Sequence, residues 1–370
     1  MADLQDEQTP AHLAYAAETP PPGPASVGAA PPAPAKASAS ASALDRAAAL
    51  LSLHPVADGH NTLVRTLRQS PYHDIGTPDS GVDTDIPRLR AGGVGAQFWS
   101  LLPPRGTTPG DALADALDQV DAALALLRRY PDGLCLALTA DDMADARNRG
   151  RIASFLGPVP GSALTDSLAA LRAFHALGVR VLAPSGACWA AEELTPFGHE
   201  VVMEANRLGV LLDVTGCTPA AALRIAGASK APVIATHTAA DALTPHPDNT
   251  DDDVLLALRA AGGLAMASFD TGQTGDSLHA VADHLDHLRA VAGPGSVGLG
   301  ASFGTEPGTE PGTHRPTGLT DPSGYPRLIA ELLERGWPET DIAQLTWGNA
   351  QRVLRAAEFT ARAAAHRRAG

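Results

Sequence analysis

The chain has 370 residues, 44% of them hydrophobic, with 27 basic against 41 acidic side chains and a formal charge of −14. That supply of apolar residues can fill a large core. The acidic balance argues against a nucleic-acid partner, which would need a basic face. No run approaches the roughly 18 apolar residues of a membrane span. Cys135, Cys188 and Cys217 lack CxxC spacing, which excludes a disulfide framework and a cysteine zinc site.

The chain starts MADLQDEQTP, without the basic and apolar segments of a secretory signal, so a cytoplasmic location is expected. Residues 1–43 are rich in Ala, Pro and Ser, as in PPPGPAS and APPAPAKASASASA. They hold too few large apolar side chains to offset the entropy of ordering, which predicts a disordered tail. Strand-like runs then fall at 55–58, 94–99, 134–138, 152–156, 179–183, 210–214, 233–236, 264–268 and 297–300. Between most of them lie amphipathic stretches of helical length. In 277–291, for example, Leu278, Val281, Leu285 and Leu288 recur at spacings of three and four. Helices are predicted at the end, over 325–335, 339–346 and 349–366, with 361–370 as a C-terminal tail. Serial strand–helix alternation without hairpin signals predicts one α/β domain over 44–360. Its fold would be a (β/α)8 TIM-like barrel with extra C-terminal helices. The repeat GTEPGTEPGT at 304–313 reads as a flexible loop at the barrel mouth.

Barrel chemistry sits at the C-terminal ends of the strands. The residues there are Asp58, His60 and Thr62 after the first run, Val159 after the fourth and Ser185 after the fifth. Thr215 and Cys217 follow the sixth, His237 the seventh and Ser302 the last. Other motifs read as structural. Asp141 and Asp142 in DDMAD, and Asp251 to Asp253, stand where acids favour a helix N-terminus. His284 and His287, with Asp283 and Asp286, read as the solvated face of an outer helix.

Long runs carry a resemblance. DGHN at 58–61, TDIPRLRAGGVGAQFWS at 84–100, GRIASFLG at 150–157 and SLAALRAFHALGVRVL at 167–182 are among them. LTPFGHEVVMEANRLGVLLDV at 194–214, APVIATH at 231–237, VADHLDHLRAVAG at 281–293 and YPRLIAELLERGW at 325–337 complete the set. The sequence resembles the renal or membrane dipeptidases, the M19 zinc peptidases. The resemblance implies a (β/α)8 barrel of the metal-dependent hydrolase type, with two zinc ions and dipeptide hydrolysis. Carried over position by position, it keeps His60 and His237 as ligands. It puts Thr62 where an Asp is expected, Val159 at a bridging Glu, Gly216 at a His and Ser302 at a catalytic Asp. Gly186 stands at a further His, and Asp248 lies near the place of a carboxylate-binding Arg.

A catalytic zinc takes about three protein ligands, and a zinc pair needs a bridging acid. The substitutions therefore predict a barrel without its binuclear centre and with no resident cofactor. Its expected role is a metal-independent small-molecule reaction or binding task, in bacterial specialised metabolism. His60 and His237 are then the expected acid–base pair, and Asp58, Thr62, Val159, Ser185, Thr215, Cys217 and Ser302 line the cavity. Two rivals remain open. One is a residual zinc dipeptidase with a single-zinc site or a site rebuilt from Asp58, Asp213, Asp270 or Glu306; the other is a non-catalytic partner of another protein. A small-molecule ligand is the expected partner, nucleic acid and membrane are not, and a homodimer is compatible with the sequence.

Overall fold

The computed structural model describes residues 37–69, 73–78, 81–104, 107–304 and 312–369. The tail expected over 1–36 and the repeat loop over 305–311 lie outside the described residues. Residues 37–43, also assigned to that tail, instead begin a helix, Ala37–Leu53.

Ten parallel strands follow: β1 (Val56–Asn61), β2 (Val94–Trp99), β3 (Leu134–Leu136), β4 (Ile152–Leu156), β5 (Val159–Pro160), β6 (Val181–Ala183), β7 (Leu211–Asp213), β8 (Val233–Thr238), β9 (Leu264–Ala267) and β10 (Val297–Leu299). Their order is β3-β4-β2-β1-β10-β9-β8-β7-β6-β5. The barrel closes where Leu156, at the top of β4, bridges Val179, and where the short β5 pairs with β6. β4 and β5 thus act as one stave, and β3 lies outside the barrel against the first three residues of β4. The sequence signals a strand at 134–138, but the strand itself covers only Leu134–Leu136. Leu136 and Leu138 remain partly exposed.

Alternate residues on the strands converge on one cluster: Ala57, Ala96, Phe98, Ala153, Phe155, Val181, Leu211, Ile234, Leu264 and Met266. This is the period of two expected of a pleated strand, and it fills the barrel interior. The Phe98 and Phe155 rings stack there with centroids 4.8 Å apart. Trp347, Val353, Leu354 and Ala357 from the C-terminal region join the same cluster. They close the end from which the strands start. There Thr346 donates to the carbonyl of His54 and Asn349 to those of Pro294 and Val297. Arg352 donates to the carbonyls of Gly262, Gly263 and Gly295. Any site must therefore open at the opposite end.

Local chemistry sets where the outer helices begin. Thr195, Thr218, Asp251 and Ser277 each accept a backbone N–H from the first helical turn, which satisfies a donor that the helix itself cannot. Thr139 and Asp142 form a reciprocal capping box, the structural role expected of the DDMAD segment.

Two expectations need correction. The last helix runs Asn349–Ala369, so residues 361–369 are helical rather than a tail. Their alanines and arginines are strong helix formers, and Ala361 packs over Gly209. His284 is buried, not solvated: its Nδ1 accepts the Ala240 N–H at 3.0 Å and its Nε2 lies 3.2 Å from Thr244 Oγ1. The helix turns this position toward the loop after β8, and burial pushes the ring's pKa down to about 4. His287 pairs with Asp252 at 2.7 Å.

Candidate active site

Two buried aspartates shape the mouth. Asp58 Oδ1 accepts the N–H groups of His60 and Ala301, at 3.1 and 3.0 Å, tying the end of β1 to the end of β10. Asp213 Oδ1 accepts the N–H groups of Thr215 and Thr236, at 3.1 and 3.0 Å, tying β7 to β8. Burial raises the Asp58 carboxyl to about 6, against the pull of those hydrogen bonds. Oδ1 of each acid is thus committed to backbone, while among the described residues Asp58 Oδ2 is buried without a hydrogen-bond partner. Asp270 caps the helix Thr271–Thr274, and Glu306 lies outside the described residues.

His60 and His237, from opposite parts of the sheet, stack face to face with centroids 3.7 Å apart and planes inclined by 22°. Small residues make this meeting possible. A Cβ on Gly59 would lie 2.8 Å from the Thr236 carbonyl oxygen and 2.4 Å from the Met266 sulfur, so β8 can reach across the barrel only because Gly59 has no side chain.

The two rings differ in their surroundings. His60 is 4% exposed, and among the described residues neither of its nitrogens has a hydrogen-bond partner. Burial first, and the charge of His237 second, hold its pKa well below the ordinary range, so the ring is neutral. His237 Nδ1 lies 2.9 Å from Thr236 Oγ1. That hydroxyl gives its one hydrogen to Asp213 Oδ2, at 2.5 Å. Nδ1 must then be the donor in neutral His237, which makes Nε2 the basic nitrogen.

The remaining expected residues have mostly structural partners. Thr62 reaches the carbonyl of Gly304 at 3.3 Å. Val159 is buried within β5, not in a loop. Ser185 donates to the Gly216 carbonyl at 2.8 Å, and Thr215 to Asp213 Oδ1 at 2.7 Å. Ser302 adopts a left-handed backbone, φ 61°, and its Oγ lies 3.5 Å from that of Ser268. A Cβ on Gly216 would sit 3.0 Å from Asp248 Oδ1 and 3.1 Å from Ser185 Oγ, which brings these three residues together. Burial pushes the Cys217 thiol up to about 12, the wrong direction for a nucleophile.

Sequence reasoning missed Arg315 and Asp83, a buried pair at the same mouth, with Nε and Oδ2 3.6 Å apart. Nothing in the local pattern HRPTGL marks Arg315 as buried. Among the described residues no three His, Cys, Asp or Glu side chains are grouped to hold a metal ion. Two imidazoles without a bridging acid do not fit a two-zinc centre. No described helix is long and apolar enough to cross a membrane.

The profile of the membrane dipeptidases, peptidase family M19, matches residues 44–368. The chain belongs to the membrane dipeptidase family. Dipeptidase 3 of Mus musculus is 37% identical over 338 residues, covering 85% of this chain and 66% of the mouse protein. Dipeptidase 3 of Homo sapiens is 36% identical, covering 85% and 67%. The chain thus matches about two thirds of the length of these curated relatives. A metallopeptidase from Rhodobacter sphaeroides, solved with a phosphinate mimic of the dipeptide L-Ala-D-Ala, superposes with a TM-score of 0.73. It is 26% identical and covers 82% of this chain and 99% of its own.

These relatives correct the functional expectation. The altered ligand positions suggest a barrel turned to another small-molecule task. Membrane dipeptidase relatives this similar, named for dipeptide cleavage, support the rival reading of dipeptide hydrolysis instead.

Proposed function

We propose that this chain hydrolyses dipeptides at the C-terminal mouth of its barrel. The observation that carries the reading is the 37% identity to a dipeptidase over 85% of the chain. The solved relative that holds a dipeptide mimic supports the same substrate class.

Within that reading His237 is the proton carrier. Its Nε2 accepts a proton from the attacking water as the water oxygen bonds to the peptide carbonyl carbon. The proton then passes to the departing amine as the C–N bond breaks. Thr236 and Asp213 fix the ring's orientation, and neutral His60 packs against it without competing for the proton. Such acid–base help is worth about 10² to 10⁴-fold.

The test is release of free amino acids from L-Ala-D-Ala and from all-L dipeptides, measured by chromatography with and without added Zn²⁺. Turnover that falls in His237→Ala supports the reading. No release from any dipeptide under either condition rejects it.

A further inference from the structure

We infer that Arg315 and His60 form a carboxylate subsite at the barrel mouth. The Arg315 side chain is 7% exposed and lies 5.6 Å from the centroid of the Phe303 ring. Its Nη2 donates to the Ser302 carbonyl. Among the described residues its Nη1 is buried with no acceptor, and its Nε approaches Asp83 Oδ2 at 3.6 Å. Both His60 nitrogens are likewise buried and unpartnered. Buried donors without acceptors are rare in folded proteins, and each such group calls for an explanation.

The two side chains belong to one place. Ser302, whose carbonyl holds Arg315, donates its own N–H to the His60 carbonyl at 3.1 Å. The charges of Arg315 and Arg65 both act on the His60 ring. The facing acid is a partial answer to this positive charge. Asp83 Oδ1 is taken by the Thr84 hydroxyl and the Gly304 N–H, at 3.0 and 2.9 Å, and burial disfavours its ionised form.

Orphaned donors beside fixed positive charge suit a small planar anion, and a guanidinium cannot shed its charge to escape the mismatch. A carboxylate can accept from Arg315 Nη1 with one oxygen and from the neutral His60 N–H with the other. The identity of that anion as the free C-terminal carboxylate of a dipeptide rests on the function proposed above. The existence of the anion subsite does not.

The experiment titrates the full chain with L-Ala-D-Ala, with its C-terminal amide and with acetate, following heat and thermal shift. The same titrations are run on Arg315→Lys, Arg315→Gln and the double variant Asp83→Asn/Arg315→Gln. The double variant removes acid and base together, so it stays informative where Arg315→Gln alone unfolds. The wild-type chain should prefer the free dipeptide to its amide by about 10-fold, the scale of one charge-assisted hydrogen bond, and should bind acetate saturably. Arg315→Lys should keep part of both effects, while the folded Gln variants lose them. Arg315-dependent acetate binding without dipeptide binding would support the subsite and reject the dipeptide reading. Acetate binding or carboxylate preference that is absent from the wild type, or unchanged in a folded Gln variant, overturns the subsite.

Discussion

Gly300 and Thr236 are in direct backbone opposition: a Cβ on residue 300 would stand 1.8 Å from the Thr236 carbonyl oxygen. No rotamer can relieve such a clash, because the obstacle is main chain. The packing of β8 against β10, and with it the position of His237, depends on a missing methyl group.

Gly300→Ala should therefore cost at least about 3 kcal/mol, the upper end of ordinary overpacking, and should separate the two stacked histidines. Gly227→Ala is the matched control, since a Cβ there meets nothing within 4 Å and the residue lies in the helix Pro219–Ala228. It should be neutral or stabilising by up to about 1 kcal/mol. Chemical denaturation of both variants checks the contrast. Equal stabilities would show that the strand crossing is looser than the geometry implies.

Asp58 makes the fold sensitive to pH. Its carboxyl is raised from 3.8 to about 6 in the folded chain, so the native state binds the proton more tightly than the unfolded one. Stability from this group is fully present below about pH 4 and is lost as the pH rises through 6, by roughly 3 kcal/mol. Asp58→Asn keeps an oxygen for the two backbone donors and cannot ionise. Its melting temperature relative to wild type should rise between pH 4 and pH 8. A pH-independent difference would contradict the assignment.

His284 acts in the opposite direction. Its folded value of about 4 lies below the ordinary 6.5, so its contribution is present above 6.5 and disappears as the pH falls toward 4. His284→Gln can still accept from Ala240 and has nothing to protonate. Its denaturation midpoint should vary less with pH across that window than the wild type's.

Thr236→Val tests the link between Asp213 and His237. Removing the hydroxyl frees the imidazole to change tautomer, and turnover should fall about 10-fold or more with little change in KM. Thr236→Ser restores the hydroxyl and should restore the rate. A Val variant with normal kcat would show that the ring is positioned by packing alone.

Thiol labelling gives a quick test of the mouth. Cys188 is exposed, whereas Cys217 is half-buried with its thiol raised to about 12. Iodoacetamide at neutral pH should modify Cys188 first, and Cys217 only after denaturation, as peptide mass spectrometry can resolve. Early labelling of Cys217 would reopen it as a nucleophile.

The barrel was legible because its signals are local and repeated. Strand runs such as 94–99 and 152–156, and the capping residues Thr195 and Ser277, announce themselves within a few positions. The place of β3 outside the barrel was not legible, because periodicity marks a strand without naming its neighbours. The proximity of His60 and His237 could be inferred from their strand ends, but their stacking depends on Gly59 and Gly300, whose meaning emerges only when strands distant in sequence meet. Arg315 was invisible for a related reason. Its burial is created by Ser302, Phe303 and Asp83, none of which is near it in the pattern of apolar spacing.

The seal at the lower end of the barrel has a consequence for how the protein is made. Thr346, Asn349 and Arg352 clasp carbonyls from the starts of β1 and β10 and from the turn before β9. Trp347, Val353 and Leu354 complete the apolar interior. A chain still emerging from the ribosome lacks these residues until all ten strands have been translated. Its first and last staves, joined by the Asp58–Leu299 pairing, must wait for the stopper before the ring can be held shut. The nascent barrel therefore carries an open seam and bare strand edges until β10 and the stopper have been made, the period when a chaperone would have most to protect.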